Sequence, residues 1–179
     1  REKAEIRRDE AGRPVRGIGF VQDITEWKET ELALRENEAI LQAALDNSQA
    51  GIAIADAPDG RLRYVNDAGL LIRGKSREEI VNGVGIDQYV SSWQILHKDG
   101  TPYKDDEVPL ARAVLYGEKC SKEMVIRRED EDDRLVWAKA APIRNESGDV
   151  TASIVIFVDI TNRQQYEEDL ARSYHELKN

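Results

Sequence analysis

The chain contains few side chains that could carry out chemistry. Its 179 residues include two histidines, His97 and His175, and a single cysteine, Cys120. His175 precedes Glu176, and a histidine beside an acid can act as a nucleophile. The histidines lie far apart in sequence, and neither a G-x-S-x-G nor a G-x-x-x-x-G-K-[ST] motif occurs. A metal site, an acyl-transfer triad and a nucleotide-binding loop therefore lack support, and we expect this stretch of chain not to be an enzyme.

The charge and the cysteine content limit the partners and the compartment. The formal net charge is −9, from 35 acidic and 26 basic residues, which disfavours nucleic acid and anionic membranes as partners. The acidic run at 129–133 is typical of a solvated hairpin tip, because a metal site needs ligands spaced to fold around one ion. One cysteine excludes an internal disulfide and fits a reducing cytosol. No apolar stretch reaches the roughly 18 residues of a membrane span. We expect a cytoplasmic segment without direct membrane contact.

A tripeptide that occurs twice indicates how the chain is organised. Asp23-Ile24-Thr25 and Asp159-Ile160-Thr161 lie 136 positions apart (159 − 23), and Gly12 and Gly148 have the same separation. Each copy follows a strand-like apolar run and precedes a polar helical pattern. A solenoid would repeat every 20–50 residues or so, so this period indicates tandem domains. We predict the tail of a preceding domain at 1–25, a linker helix at 26–47, a full domain at 48–161 and a C-terminal signalling helix at 162–179.

Apolar runs and turn signals predict the elements of the full domain. Short helices fall between the early strands, and residues 84–107 look irregular. This order predicts an α+β fold, a five-stranded antiparallel sheet with short helices on one face and linker helices at both ends. The predicted strands are Gly51–Ala55, Leu62–Val65, Lys122–Arg128, Arg134–Ile143 and Thr151–Val158.

The last predicted strand carries apolar side chains on both faces. Ser153, Val155 and Phe157 point to one face, and Ile154, Ile156 and Val158 point to the other. An antiparallel sheet usually leaves one face in water, which gives a clean alternation of apolar and polar residues. We therefore expect both faces to be covered, one by the domain's own helices and the other, outer face by a flanking helix or by a second subunit.

Six short motifs follow one another along the full domain: Asp59-Gly60 with Tyr64-Val65-Asn66, Gly74–Ile80, His97–Pro102, Glu107–Ala113 with Gly117-Glu118, Ala141–Arg144 and Asp159–Thr161. In this order and spacing they resemble those of a PAS domain, the sensory fold of bacterial signalling proteins. The resemblance implies the tandem-PAS region of a sensor histidine kinase, or of a related diguanylate cyclase or phosphodiesterase. It also implies a homodimer formed through the flanking helices and the outer sheet face, and a downstream kinase or other output domain.

The resemblance assigns roles to two groups of residues. In the family the Asp-Ile-Thr tripeptide couples the sheet to the output helix. Thr161 suits a helix N-cap, and the carboxylate of Asp159 favours the positive end of a helix, so the alternative is that both residues only cap the helix. A ligand cavity would lie between the sheet and the short helices. By the strand parity of the family, the residues expected to face it are Ala53, Ala55, Val136, Ala138, Ala140, Ser153, Val155 and Phe157. The same parity places Trp137 on the outer face of the sheet.

The resemblance favours a filled, ligand-free core, with a small unknown ligand as the alternative. The light-sensing flavin domains need a reactive cysteine in a Gly-x-Asn-Cys stretch, whereas residues 83–96 contain none, and Phe157 stands where those domains carry glutamine. A haem-binding member would offer a histidine near Leu110–Tyr116, and none occurs there. We expect His97 to be solvent-exposed, Cys120 to be an inert small side chain, and neither flavin nor haem to bind.

The segment 175–179 has two interpretations. His175-Glu176-Leu177-Lys178-Asn179 resembles the phosphoacceptor box of histidine kinases. It begins only 14 positions after Thr161 (175 − 161), however, and Leu170–Ser173 with Glu176-Leu177 fits a common PAS linker pattern. We favour the linker interpretation, in which the segment starts a coiled coil.

Overall fold

A computed structural model describes residues 2–129, 131–164 and 166 of the chain. The chain divides into two units, Arg1–Ala44 and Leu45–Asn179. None of the helices in these described residues combines the length and apolar character needed to cross a membrane.

The first unit contains a β-hairpin followed by a long helix. Strands β1 (Glu2–Arg8) and β2 (Pro14–Val21) pair antiparallel, and α1 (Thr25–Asp46) ends two residues inside the second unit. α1 has no buried residue, and Trp27, Leu34 and Leu41 are exposed at seven-residue spacing. This spacing places them on one stripe of the helix, as in a coiled coil.

The second unit is an α+β domain built on one antiparallel sheet. Its strands are arranged in the order β4-β3-β8-β7-β6-β5. Four helices and two short 3-10 turns connect them. The strands are β3 (Gly51–Asp56), β4 (Leu62–Val65), β5 (Ile95–Leu96), β6 (Cys120–Ile126), β7 (Arg134–Arg144) and β8 (Val150–Asp159). The helices are α2 (Asp67–Arg73), α3 (Arg77–Ile80), α4 (Tyr89–Trp93) and α5 (Pro109–Tyr116), and the 3-10 turns are Ile86–Gln88 and Asp105–Glu107.

The described sheet has six strands rather than the five that the sequence predicts. The additional strand, β5, has two residues, which pair with Ile126 and Val125 of β6. Two residues are too few for a period-two pattern, so the strand leaves no signal in the sequence. The region 84–107, predicted to be irregular, also holds α4, because Tyr89 and Trp93 provide one buried turn of helix.

The hairpins of the two units have matching turns. In the β1–β2 turn the N–H of Gly12 donates to Asp9 O (2.9 Å), and in the β7–β8 turn the N–H of Gly148 donates to Asn145 O (3.0 Å). In both turns the side-chain oxygen of the first residue also accepts from the backbone N–H four residues later, at 2.8 and 2.9 Å. Both glycines have positive φ, 78° and 88°, which glycine adopts without strain. The 136-residue repeat is therefore structural as well as sequential.

The sheet has a buried and an exposed apolar face. The inner face and the short helices form the core. On the outer face Trp137, Ile156 and Val158 are 42%, 44% and 39% exposed, and Trp137 and Val158 lie directly opposite each other. The exposure of these side chains confirms their predicted outward orientation.

Candidate functional site

The inner face of the sheet encloses a small cavity. All of the predicted pocket residues are buried, so the core is close to filled, but a cavity of about 60 Å³ remains. Ala53, Val136, Ala138, Val155 and Phe157 line it. Ala55, Ala140 and Ser153 are buried but do not line the cavity.

The rest of the cavity wall comes from residues that sequence reasoning missed. Tyr89 and Trp93 of α4, Leu110 of α5, and Met124 and Ile126 of β6 complete much of the wall. The two aromatic residues lie four positions apart, which places them on one face of a helix. That spacing was the available signal, although it extends over a single turn. The ring of Trp93 packs edge-on against Phe157, with ring centroids 5.7 Å apart.

The polar atoms of the two aromatic wall residues are already paired. The Tyr89 hydroxyl donates to Gly60 O, and Trp93 Nε1 donates to Ile80 O at 3.2 Å. Burial raises the pKa of Tyr89, so this phenol remains protonated at neutral pH. The wall thus presents mainly hydrocarbon, and such cavities stay dry and accept small apolar guests. The volume exceeds what a water molecule needs but is well below the roughly 300 Å³ of a drug-sized pocket.

The second part of the site is the joint between the sheet and the C-terminal helix, formed by Asp159, Ile160 and Thr161. Arg134 Nη1 lies 3.4 Å from Asp159 Oδ2. The Ile160 N–H donates to Leu135 O (2.8 Å), and the Leu135 N–H donates to Thr161 Oγ1 (2.9 Å). The first residues of β7 therefore hold the residues where β8 becomes helix.

Arg134 is the partner of Asp159 that the sequence did not identify. Each side chain is about one-third exposed, 34% for Arg134 and 30% for Asp159. An ion pair of this exposure contributes little, typically about 0.5–1 kcal/mol, because solvent screens it. The backbone-directed hydrogen bonds of Thr161 and Ile160 therefore carry much of the strength of the joint.

The same cap occurs at both copies of the tripeptide. The Thr161 N–H donates to Asp159 Oδ1 and the Thr25 N–H donates to Asp23 Oδ1, each at 2.9 Å. The hydrogen bonds from the Thr25 side chain and backbone hold the pKa of Asp23 below its usual value. Helix begins at the threonine in both places, so the capping side chain is the aspartate. The expectation that Thr161 itself is the N-cap is wrong, because Thr161 is the first helical residue and its hydroxyl oxygen accepts from Leu135 instead.

The cavity and the joint are adjacent along two paired strands. Phe157 lines the cavity and lies two residues before Asp159 on β8. Val136 lines the cavity from β7, directly opposite Asp159, and follows Arg134 by two residues. A shift of either side chain would therefore move backbone that ends in the joint.

The remaining predicted residues lie elsewhere. His97 is half-buried rather than exposed, because its ring stacks on Tyr103 with centroids 3.6 Å apart. Cys120 lies at the start of β6, outside the cavity lining. In the described residues of the acidic tip, Glu129 pairs with Lys75 at 3.0 Å, and no group of acidic, histidine or cysteine side chains there could hold a metal ion. His175 and the rest of 167–179 lie outside the described residues.

The chain belongs to the PAS fold family, whose profile matches residues 45–165. No curated protein sequence matches it. An RNA-binding light-oxygen-voltage receptor is similar in structure, with a TM-score of 0.56, 22% identity, and coverage of 77% of this chain and 37% of that one. A PAS domain of an HTR-like protein from Haloarcula marismortui has a TM-score of 0.50 and 21% identity, over 74% and 99% of the two chains. A sensory box histidine kinase/response regulator from Burkholderia thailandensis E264 has a TM-score of 0.51 and 19% identity, over 77% and 97%. At these identities the likeness shows the fold.

Proposed function

We propose that this chain is a sensory and dimerisation module that relays a signal from its cavity, or from an upstream domain, into the helix beginning at Thr161. The observation that carries the proposal is the adjacency of cavity and joint, since Phe157 and Val136 line the cavity and lie within two residues of Asp159 and Arg134. Small rotations or register shifts of the helix would then bias an output domain.

The ligand class that suits the cavity is a small apolar molecule. A flavin ring has carbonyl and N–H groups along one edge that need hydrogen-bond partners, and the lining offers none beyond the paired groups of Tyr89 and Trp93. The volume of about 60 Å³ is also too small for a flavin or a haem. Neither Cys120 nor His97 lines the cavity, so the residues present do not fit either group.

The proposed partner is a second copy of this chain. The outer face around Trp137 and Ile156 and the α1 stripe of Trp27, Leu34 and Leu41 are apolar and exposed in the single chain. Pairing of α1 with its copy would bury the stripe, and packing of two sheet faces would bury the outer face. The net charge of −9 argues against RNA as a partner.

The remaining assignments concern the intact protein. We propose that it is cytoplasmic and that residues 1–25 end a preceding PAS domain, since their hairpin turn and helix cap repeat those of 145–161. We propose a histidine kinase as the output domain, with a diguanylate cyclase or phosphodiesterase as the alternative.

If His175 is the phosphoacceptor, incubation with the kinase domain and ATP labels the wild type and leaves His175→Gln unlabelled.

A second candidate function is a ligand-free interaction module that only sets the geometry of the dimer. The exposed apolar outer face favours it, because that face needs a partner whether or not the cavity is used. Native mass spectrometry of the purified protein separates the two functions. A co-purifying small molecule supports sensing, and a bare dimer supports the interaction module.

The test of the relay is Thr161→Ala in the full-length protein. The variant should fold and dimerise while its output no longer responds to the signal, because the hydroxyl that holds the helix to Leu135 is gone. Equal loss of folding and of signalling would support the alternative in which the tripeptide only caps the helix. Thr151→Ala, on the exposed part of β8, is the matched control.

A further inference from the structure

Asn66 is the most completely bonded polar side chain in the described core. It is 1% exposed, and it stands at the N-cap of α2. Its Oδ1 accepts from the backbone N–H of Ile52 (2.8 Å) and of Gly69 (3.0 Å). Its Nδ2 donates to Leu45 O (3.1 Å) and to Ala50 O (3.0 Å). A helix cap needs the bond to Gly69, and the other bonds join segments far apart in sequence.

The bond to Leu45 reaches the end of the incoming helix. Leu45 belongs to the last turn of α1, and the boundary between the two units falls just before it. Its carbonyl is one of the last carbonyls of α1, which lack partners within the helix. The amide of Asn66 therefore connects the end of α1 with α2 and β3.

The other side of Asn66 leads to the cavity. Gly69 packs against the Phe157 ring so closely that an added Cβ would lie 3.1 Å from Phe157 Cζ and 3.2 Å from Asn66 Oδ1. Gly51, paired with Phe157 across β3 and β8, leaves no room for a Cβ because the same ring occupies that space. Phe157 thus sits between two glycines, next to the cavity, and two residues before Asp159.

We propose that Asn66 is an input joint, through which a displacement of the end of α1 moves the Phe157 wall of the cavity and, through β8, the output joint at Asp159–Thr161. This rests on the proposed function, and it names the residue through which an upstream domain would act without a ligand in the cavity. A preceding domain could act on the C-terminal helix through the same residue that borders the cavity.

The test loosens the end of α1 without altering the core. Ala44→Gly lies in the last turn of α1, and Ala33→Gly is its matched control in the middle of the helix, both at exposed positions. Amide hydrogen exchange of residues 1–179 is measured by NMR at Ile160 and Leu135. We expect Ala44→Gly to accelerate exchange there about twofold or more relative to Ala33→Gly, because glycine weakens the helix where Asn66 holds it.

Repeating the comparison in a second variant, Asn66→Ser, tests whether the effect of Ala44→Gly depends on Asn66. Asn66→Ser keeps a hydroxyl for the cap at Gly69 but is too short to reach Leu45 O, so Ala44→Gly should have no additional effect in it. Ser48→Ala loosens the same loop, where the Ser48 hydroxyl also donates to Ala50 O, and should leave the Ala44→Gly effect intact. If Asn66→Ser does not fold, the Ala33/Ala44 comparison still decides whether α1 reaches the joint.

Two outcomes overturn the proposal. One is that the Ile160 and Leu135 amides exchange no faster in Ala44→Gly than in Ala33→Gly. That result would show that a change at the end of α1 is not transmitted to the output joint. An Ala44→Gly effect that survives in Asn66→Ser shows that the route bypasses Asn66. The proposed function fails separately, if xenon bound in the cavity leaves the Ile160 and Thr161 amides unshifted.

Discussion

The hydroxyl of Thr161 provides the sharpest test of the output joint. Thr161→Val keeps the shape of the side chain and removes the oxygen that accepts from the Leu135 N–H at 2.9 Å. The bond from the Thr161 N–H to Asp159 Oδ1 is a backbone donation and remains. The variant therefore removes one of the two hydrogen bonds between Leu135 and the joint without removing the cap.

The magnitude follows from the burial of the two partners. An average hydrogen bond contributes about 0.5–1.5 kcal/mol, and an unpaired buried N–H costs about 1–3 kcal/mol. Leu135 and Thr161 are both half-buried, so water partly replaces the lost acceptor. We expect a cost of about 1 kcal/mol, equivalent to roughly fivefold faster exchange of the Leu135 amide.

Two controls accompany the exchange measurement. Thr161→Ser retains the oxygen and should exchange at Leu135 like the wild type. Thr151→Val removes an exposed hydroxyl that donates to Ile143 O at 3.3 Å, and it should change the free energy of unfolding by less than about 0.5 kcal/mol. Equal exchange at Leu135 in Thr161→Val and Thr161→Ser would refute the reasoning, because the hydroxyl would then hold nothing.

Three further predictions concern the outer sheet face, the ion pair between Arg134 and Asp159, and the buried Tyr89. If the chain forms the proposed dimer, Trp137→Glu should shift it towards monomer in sedimentation while the unfolding midpoint stays near that of wild type; unchanged sedimentation would remove this face from the interface. A double-mutant cycle with Arg134→Gln and Asp159→Asn should give about 0.5–1 kcal/mol of coupling, and zero coupling would leave the joint to its backbone bonds. Burial raises the pKa of Tyr89 above its unfolded value of about 10, so its contribution to stability is complete below that pH and declines as pH rises above it. Tyr89→Phe should flatten this decline in denaturation measured from pH 8 to 11, and identical slopes would contradict it.

The sequence predicts the long or well-bounded elements and misses the short ones. β7 and β8 are ten or more residues long and rich in apolar residues, and α5 lies between Pro109 and Gly117, so local sequence signals are enough to predict them. β5 has two residues and α4 one turn, so their positions depend on contacts distant in sequence. Tertiary packing rather than local propensity forms them.

The same limit applies to the candidate site. Strand parity placed Val136, Ala138 and Phe157 on the inner face, where they line the cavity. Parity could not separate them from Ala140, which is buried beyond the lining, because every second residue of a strand shares a face. Arg134, as the partner of Asp159, and the bond from Asn66 to Leu45 join residues 25 and 21 positions apart, and no local pattern predicts such pairs.

The central claim is that binding of a small molecule in the cavity changes the structure at the start of the C-terminal helix, at Thr161. The most direct measurement is the ¹H–¹⁵N and methyl NMR spectrum of residues 1–179 under xenon pressure, because xenon enters dry apolar cavities. The account predicts shifts of the Met124 methyl in the wall and of the Ile160 and Thr161 amides, with both sets lost when Ala138→Val fills the cavity. Shifts of the wall methyl with the joint amides unmoved would contradict the account.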